Sequence, residues 1–194
     1  MIAAPGAQRG GRLQCPFSPR LRRLNSMTLK ETPFHPDLHV LQRAYDAHGL
    51  AWAAPRHEAE SAEYAASSFA VEGLQVRFRV AKITPTKVGQ FVTLWKRIGS
   101  GPIQPFDETD PVDLFVVSTR QGDQIGQFVF PAAVLAARDI VARAGQGGKR
   151  AIRVYPPWVL TTSKQAHATQ RWQLAYFLPD GADVAAVRRL YGLL

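Results

Sequence analysis

Six basic residues, Arg77, Arg79, Lys82, Lys87, Lys96 and Arg97, fall within a stretch that contains no Asp or Glu. Guanidinium and ammonium groups gathered without acids put unbalanced positive charge on a surface. The chemistry this supports is capture of a polyanion, above all the phosphate backbone of nucleic acid. The acid-free window extends over residues 73–106, and a second one, residues 140–179, carries Arg143, Lys149, Arg150, Arg153, Lys164 and Arg171. Aromatic residues are interleaved with the cations: Phe91 and Trp95 in the first window, Tyr155, Trp158 and Trp172 in the second. Cations for phosphates and ring faces for unpaired bases suit nucleic acid together. The amides of Gln90, Gln127, Gln165, Gln170 and Gln173 add groups able to read base edges, adenine most often. Phe91 and Trp95 stand at strand spacing and are expected in the core, whereas Trp158 follows two prolines and is expected at the surface. Gln170, Tyr155 and Trp158 are the expected base or sugar contacts.

Other chemistries find less support. His35 and His39 are four apart, but Pro36 between them breaks the helix that would turn both toward one metal, and no third ligand accompanies them. The run Gly145-x-Gly147-Gly148-Lys149-Arg150 has the composition of a phosphate loop without its G-x-x-x-x-G-K-[ST] spacing, and reads as a flexible loop beside a basic strand. No G-x-S-x-G elbow is present, and the single Cys15 gives neither a disulfide framework nor a cysteine metal site.

The chain of 194 residues, 46% hydrophobic, fits one domain with a sizeable core. Its formal charge of +9 is partly local, because residues 1–26 hold five arginines and no acid. Residues 27–194 retain nineteen basic residues against fifteen acids, and twelve of those nineteen lie in the two acid-free windows. Placement, more than total charge, therefore decides where an anion is steered. Residues 1–26, rich in Gly, Pro, Ala and Arg, are expected to be a disordered basic tail or a start misplaced ahead of Met27. Their prolines and arginines interrupt any apolar run of signal-peptide length. No stretch approaches the roughly 20 apolar residues of a membrane span, so a cytoplasmic protein is expected.

The elements that would position these residues form a mixed α/β pattern. Residues 37–48 read as an amphipathic helix with Leu38, Leu41 and Tyr45 on one face and Asp37 as its cap. Pro55 and the acids Glu58, Glu60 and Glu63 suggest a second helix. Residues 67–72 and 75–83 read as strands around a Glu72-Gly73 turn, and 88–96 as a third strand, giving a meander. In 75–83, Val76, Phe78 and Val80 alternate with Arg77 and Arg79, the period of a strand with one buried and one basic face. Residues 112–119 are apolar on both faces and predict a central strand, turned at Gly122-Asp123 into 125–130. Pro131 is placed to begin a helix over 132–138. A strand over 150–155, a helix from Thr162, a strand over 174–178 and a helix over 182–193 complete the domain.

Four segments in order, F-R-V-A-K-I-T-P-T-K-V-G-Q-F-V-T-L-W-K-R, G-Q-F-V-F-P, R-V-Y-P-P-W and T-Q-R-W-Q, resemble the MepB family of small bacterial proteins across residues 58–177. That resemblance implies a single α/β (α+β) domain with a central mixed sheet flanked by helices, similar to type II restriction endonucleases, and a link with nucleic-acid binding. Such nucleases use an Asp at the head of one strand and Glu-x-Lys on the next to hold Mg²⁺. Asp113 heads its strand, but the next strand offers Gln127-Phe128-Val129, with no acid and no Lys. Glu63 would have to supply the second carboxylate, and Lys82 or Lys96 the ammonium. Three readings follow: a nucleic-acid-binding protein, with DNA favoured; a Mg²⁺-dependent nuclease using Asp113 and Glu63; and an interaction protein for an acidic partner or an anionic small ligand. No other cofactor is expected.

Overall fold

The computed structural model describes residues 33–193. The expected tail over residues 1–26, and Met27, lie outside the described residues.

Helix α1 (Pro36–Ala47) is capped by His35, whose Nδ1 accepts the Asp37 amide at 3.2 Å, and Pro36 occupies a first-turn position that needs no amide hydrogen. Asp37 is therefore not the cap. Its carboxylate turns inward instead, accepting Ser118 Oγ at 2.8 Å and Arg120 Nη2 at 2.6 Å, which ties α1 to the strand carrying those two residues. The acidic helix expected from Glu58 to Glu63 is absent. Strand β1 (Arg56–His57) leads to a single 3-10 turn, Ala62–Tyr64, bounded by Ser61 and Ala65 at φ of 61° and 52°. Left-handed residues on both sides stop a helix from propagating. Ser61 is held there by the Thr93 hydroxyl, which donates to its Oγ at 2.9 Å in a buried contact.

Strands β2 (Ser67–Val71) and β3 (Leu74–Val80) form the expected hairpin, with Glu72 and Gly73 both at positive φ as a two-residue turn requires. The chain then leaves that sheet, and the expected meander does not form. Short β4 (Lys82–Thr84) and β5 (Lys87–Thr93) build a separate hairpin, and the strand expected over 88–96 breaks at buried Leu94 into β5 and β6 (Trp95–Arg97). β6 pairs with β7 (Ile103–Pro105). β8 (Leu114–Gln121) and β9 (Gln124–Pro131) are joined at Gly122-Asp123, and Pro131 leads directly into α2 (Ala132–Ala137). After β10 (Ala151–Val154) comes α3 (Lys164–Gln173), capped by Ser163. A 3-10 turn over Leu174–Tyr176 extends it, leaving only β11 (Phe177–Pro179) of the strand expected over 174–178, and α4 (Val184–Leu190) closes the described chain.

The main sheet has the order β1-β2-β3-β8-β9-β11, mixed because β3 and β8 run parallel. A three-stranded sheet, β10-β5-β4, stands apart from it. This is the expected α+β class with a central mixed sheet. β8 is the central strand its sequence predicts. Leu114 and Val116 enter one core with Leu38, Tyr45 and Phe78, while Phe115 and Val117 enter the other with Phe128, Leu135 and Val154. Burial on both faces explains why its apolar residues do not alternate with polar ones.

The first core is fastened by two phenols. Tyr45 of α1 and Tyr191, just beyond α4, share a buried hydroxyl–hydroxyl hydrogen bond of 2.7 Å. Desolvation is the main cause that raises both above the ordinary value of 10.0. Groups whose ionisation is suppressed by folding contribute stability that is complete below their unfolded pKa and lost as pH rises through the folded one. Denaturation midpoints should thus fall as pH rises above 10, and the Tyr45→Phe/Tyr191→Phe double variant should show a shallower fall, measured by urea titration across that range.

Candidate nucleic-acid interface

The two acid-free windows have different fates. In the first, four of the six cations are matched by carboxylates from other segments. The parallel register sets Arg77 beside Phe115 and Arg79 beside Val117, so both guanidiniums lie on the face of the second core, and the exposed basic face expected of β3 does not exist. Glu58 holds both. Its Oε1 accepts Arg77 Nη1 at 2.6 Å, and its Oε2 lies 2.6 Å from Arg79 Nη2 as an ion pair outside hydrogen-bond alignment. Arg79 is fully buried, donates Nη1 to the Phe78 carbonyl at 2.9 Å, and leaves Nε unpartnered among the described residues. Burial lowers its pKa, and the charge of Glu58 opposes that shift. Arg97 Nε donates to Glu60 at 2.9 Å, and Lys96 is paired with Asp110. Glu58, Glu60 and Asp110 line one cleft with Arg77, Lys96 and Arg97, so that surface is balanced in charge. Only Lys82 and Lys87 of this window are exposed cations without a carboxylate partner among the described residues.

The second window keeps its charge. Lys149, Arg150, Arg153, Lys164 and Arg171 make no ion pair with a carboxylate among the described residues, and all but Arg153 are exposed. A cleft of about 360 Å³ opens between β10 and α3, and no Asp or Glu lines it. Arg138, Lys149 and Arg153 bring the positive charge, Tyr155 and Trp172 the rings, and Gln165 and Thr169 neutral polar groups. Arg138 lies just beyond α2, its Cζ 4.9 Å from the Trp172 ring centroid. The sequence hid it, because Asp139 follows immediately and places it outside the acid-free window.

Three side chains in and beside this cleft are committed to hydrogen bonds within the protein. Gln173 is buried at the end of α3, and its amide acts as one more rung on β10. Oε1 accepts the Tyr155 amide and Nε2 donates to the Arg153 carbonyl, each at 2.9 Å. Gln170 spends both amide hydrogens on the loop before α3, donating to the carbonyls of Pro156 at 3.1 Å and Val159 at 2.8 Å. Arg153 braces the β4–β5 hairpin: Nη2 donates to Thr84 Oγ1 at 2.7 Å and Nη1 to the carbonyls of Gly89 at 3.1 Å and Lys87 at 3.2 Å. Cross-strand partners share a sheet face. Lys82, Phe91 and Arg153, paired in register, therefore make one row, with the Arg153 Cζ 5.8 Å from the Phe91 centroid. Tyr155 continues that face over Gly89, where a Cβ would meet the tyrosine ring at 2.6 Å. Trp158 is half-buried, edge-on to Phe177 at 5.6 Å.

The glycine-rich loop is neither a phosphate cradle nor loose. Asp107 Oδ2 accepts the Gly145 amide at 2.8 Å, Asp139 Oδ1 accepts that of Gly148 at 3.3 Å, and Lys149 N–H reaches the Ile140 carbonyl at 2.8 Å. Those amides are spent inside the protein. The bond from Gly145, followed by those from Thr109, holds Asp107 below the ordinary carboxylate range.

Asp113 and Glu63, the carboxylates of the nuclease reading, have different settings. Asp113 Oδ2 accepts the Gln75 amide at 2.7 Å at the foot of β8, and Glu63 is exposed on its 3-10 turn. Lys82 lies with its Nζ 4.7 Å from the Tyr64 ring centroid. No three His, Cys, Asp or Glu side chains stand together in a metal-holding arrangement among the described residues. On β9, Gln127 stands where the nuclease reading needs its second carboxylate, so the donors there do not fit the Mg²⁺ site of that reading.

A family model described as MepB-like matches residues 58–179, and the chain belongs to that family. Among solved structures, the crystal structure of MepB is similar at 28% sequence identity and a TM-score of 0.66, over 77% of this chain and 99% of that one. A bacterial homing endonuclease, I-Ssp6803I, aligns at 16% identity and a TM-score of 0.43, over 71% of this chain and 86% of that one. No curated protein matches.

Removing one partner of a buried ion pair costs about 3–5 kcal/mol, because the other charge stays behind without compensation. Glu58→Gln is expected to lower unfolding stability by about 3 kcal/mol, at the lower end because Glu58 keeps some solvent contact. Urea denaturation measures this, and Glu58→Gln/Arg79→Met should recover much of the loss. The Asp107 latch gives a second check. A depressed carboxylate pKa contributes stability above its unfolded value of 3.8 that is lost as pH falls through the folded value. Protection of the Gly145 amide, relative to its intrinsic exchange rate, should fall over that acidic window, and in Asp107→Asn it should already be lower than in wild type at neutral pH.

Proposed function

We propose that this MepB-like protein binds nucleic acid along the β10–α3 cleft and the adjoining face of the three-stranded sheet. The observation that carries the reading is a cleft lined by Arg138, Lys149 and Arg153 and by no carboxylate. Lys149, Arg150, Lys164 and Arg171 are exposed and unpaired among the described residues, and they serve as phosphate contacts. Lys82 and Lys87 extend the track. Tyr155 and Trp172 offer rings within the cleft, and Gln165 is the exposed amide beside them. The buried or carboxylate-paired Arg77, Arg79, Lys96 and Arg97 hold the fold together. DNA is the favoured ligand. No helix among the described residues is long and apolar enough to cross a membrane, and a cytoplasmic location belongs to the same proposal.

Each phosphate neutralised releases counterions, so the logarithm of affinity falls with the logarithm of salt at a slope proportional to the number of contacts. About six contacts correspond to a loss of about 10³-fold in affinity between 50 and 200 mM salt. Lys149→Glu/Lys164→Glu should weaken binding of a 20-base-pair DNA more than tenfold without changing thermal stability, because both side chains are exposed. Arg97→Gln should leave affinity within about twofold, since that guanidinium already serves Glu60. Fluorescence anisotropy measures all three. A flat salt response, or equal losses from both variants, contradicts the proposal.

A further inference from the structure

The tip of the β4–β5 hairpin carries an apolar feature that the fold does not use. Ile83 is 58% exposed and Val88 44% exposed, although β5 ends in buried Val92 and Thr93. Ile83 pairs with Gln90, so it lies on the sheet face opposite the Lys82–Phe91–Arg153 row. Farther along that face the side chains of Val92 and Val154 are fully buried in the core. The hairpin overhangs that core.

Lys82 and Lys87 flank the aliphatic pair, and no acid occurs anywhere between residues 73 and 106. The hairpin is held stiff by Arg153, which binds Thr84 on one strand and the Lys87 and Gly89 carbonyls on the other. It is also poorly suited to pairing with another strand. β4 is only three residues long, begins at Lys82, and is followed by Pro85, all of which blunt a sheet edge. A rigid, acid-free ribbon with two lysines and an uncovered aliphatic pair fits one kind of occupant: the groove of a duplex, where lysines meet phosphates and β-branched side chains press between base pairs. Apolar wedges of this type partly unstack a base step and bend the helix.

Resting on the nucleic-acid reading above, we infer that the ligand is duplex DNA and that the β4–β5 hairpin enters its groove, wedging Ile83 and Val88 against a base step and bending the helix. The wedge costs least at flexible pyrimidine–purine steps, so sites with a central TA step are bound more tightly than A-tracts. The hairpin is thus a source of sequence preference that does not depend on hydrogen bonds to bases.

The test uses the full chain and a 30-base-pair duplex with donor and acceptor dyes at its ends. Wild type should bring the ends closer on binding and should favour a central TA step over an A-tract about tenfold. Ile83→Ser/Val88→Ser should bind without the approach and with the preference reduced to about twofold, at unchanged salt slope and thermal stability. Lys82→Gln/Lys87→Gln should lower the salt slope by about 2. Binding with no change in end-to-end distance, or bending that survives Ile83→Ser/Val88→Ser, overturns the wedge while leaving nucleic-acid binding intact. So does a monomer–dimer equilibrium abolished by that variant in sedimentation, which would make a second copy the occupant. Failure of wild type to bind any duplex or single strand overturns the underlying reading as well.

Discussion

One carboxylate, that of Glu58, decides that the arginines of β3 stay with the fold and do not form a basic surface. It forms ion pairs with both Arg77 and the fully buried Arg79. A buried guanidinium costs several kcal/mol to desolvate and is tolerated only beside a partner. The segment carrying Glu58 therefore cannot wind into the helix its acids suggest. It must cross the face of β3, with the Glu58 amide on the Ala66 carbonyl at 2.9 Å and Ser61 against Thr93. Glu60 and Asp110 repeat the arrangement for Arg97 and Lys96. The most basic stretch of the sequence is in this way largely cancelled by acids from elsewhere in the chain.

Within the two acid-free windows, what remains uncancelled lies on and beside the three-stranded sheet. The β10–α3 cleft depends on Gln173 for its width and on Arg153 for the stiffness of the neighbouring hairpin, while Asp107 and Asp139 fix the loop that presents Lys149. These polar groups position charge instead of contributing it. A cleft whose cations stand on a braced framework loses little conformational entropy when an anion arrives, which favours binding. The same brace holds Ile83 and Val88 out in solvent.

The legible parts of the fold were those set by local pattern. β8 announced itself as an unbroken apolar run, the Glu72-Gly73 and Gly122-Asp123 turns by residues able to take positive φ, and α1 by Leu38, Leu41 and Tyr45. The illegible parts were tertiary. Nothing near Arg79 in sequence says that Glu58 will cover it, and nothing near Leu94 says that the chain turns a corner there. At the cleft, Lys149 could be picked out from the acid-free window, as could Lys164 and Arg171 on the helix beside it. Arg138 could not, because Asp139 masks it, and Gln170 gave no sign that its amide belongs to the Pro156 and Val159 carbonyls. Charge counted along a chain is a guide to a surface only after the pairs formed across the fold are subtracted.

Hydrogen exchange with and without duplex DNA separates the cancelled surface from the free one most directly. Protection on binding should concentrate in residues 82–89, 149–155 and 164–172, and residues 58–60, 95–97 and 107–111 should exchange as in the free protein. Protection centred on the Glu58, Lys96 and Asp110 cleft, with the β10–α3 region unchanged, would contradict the assignment of the binding face.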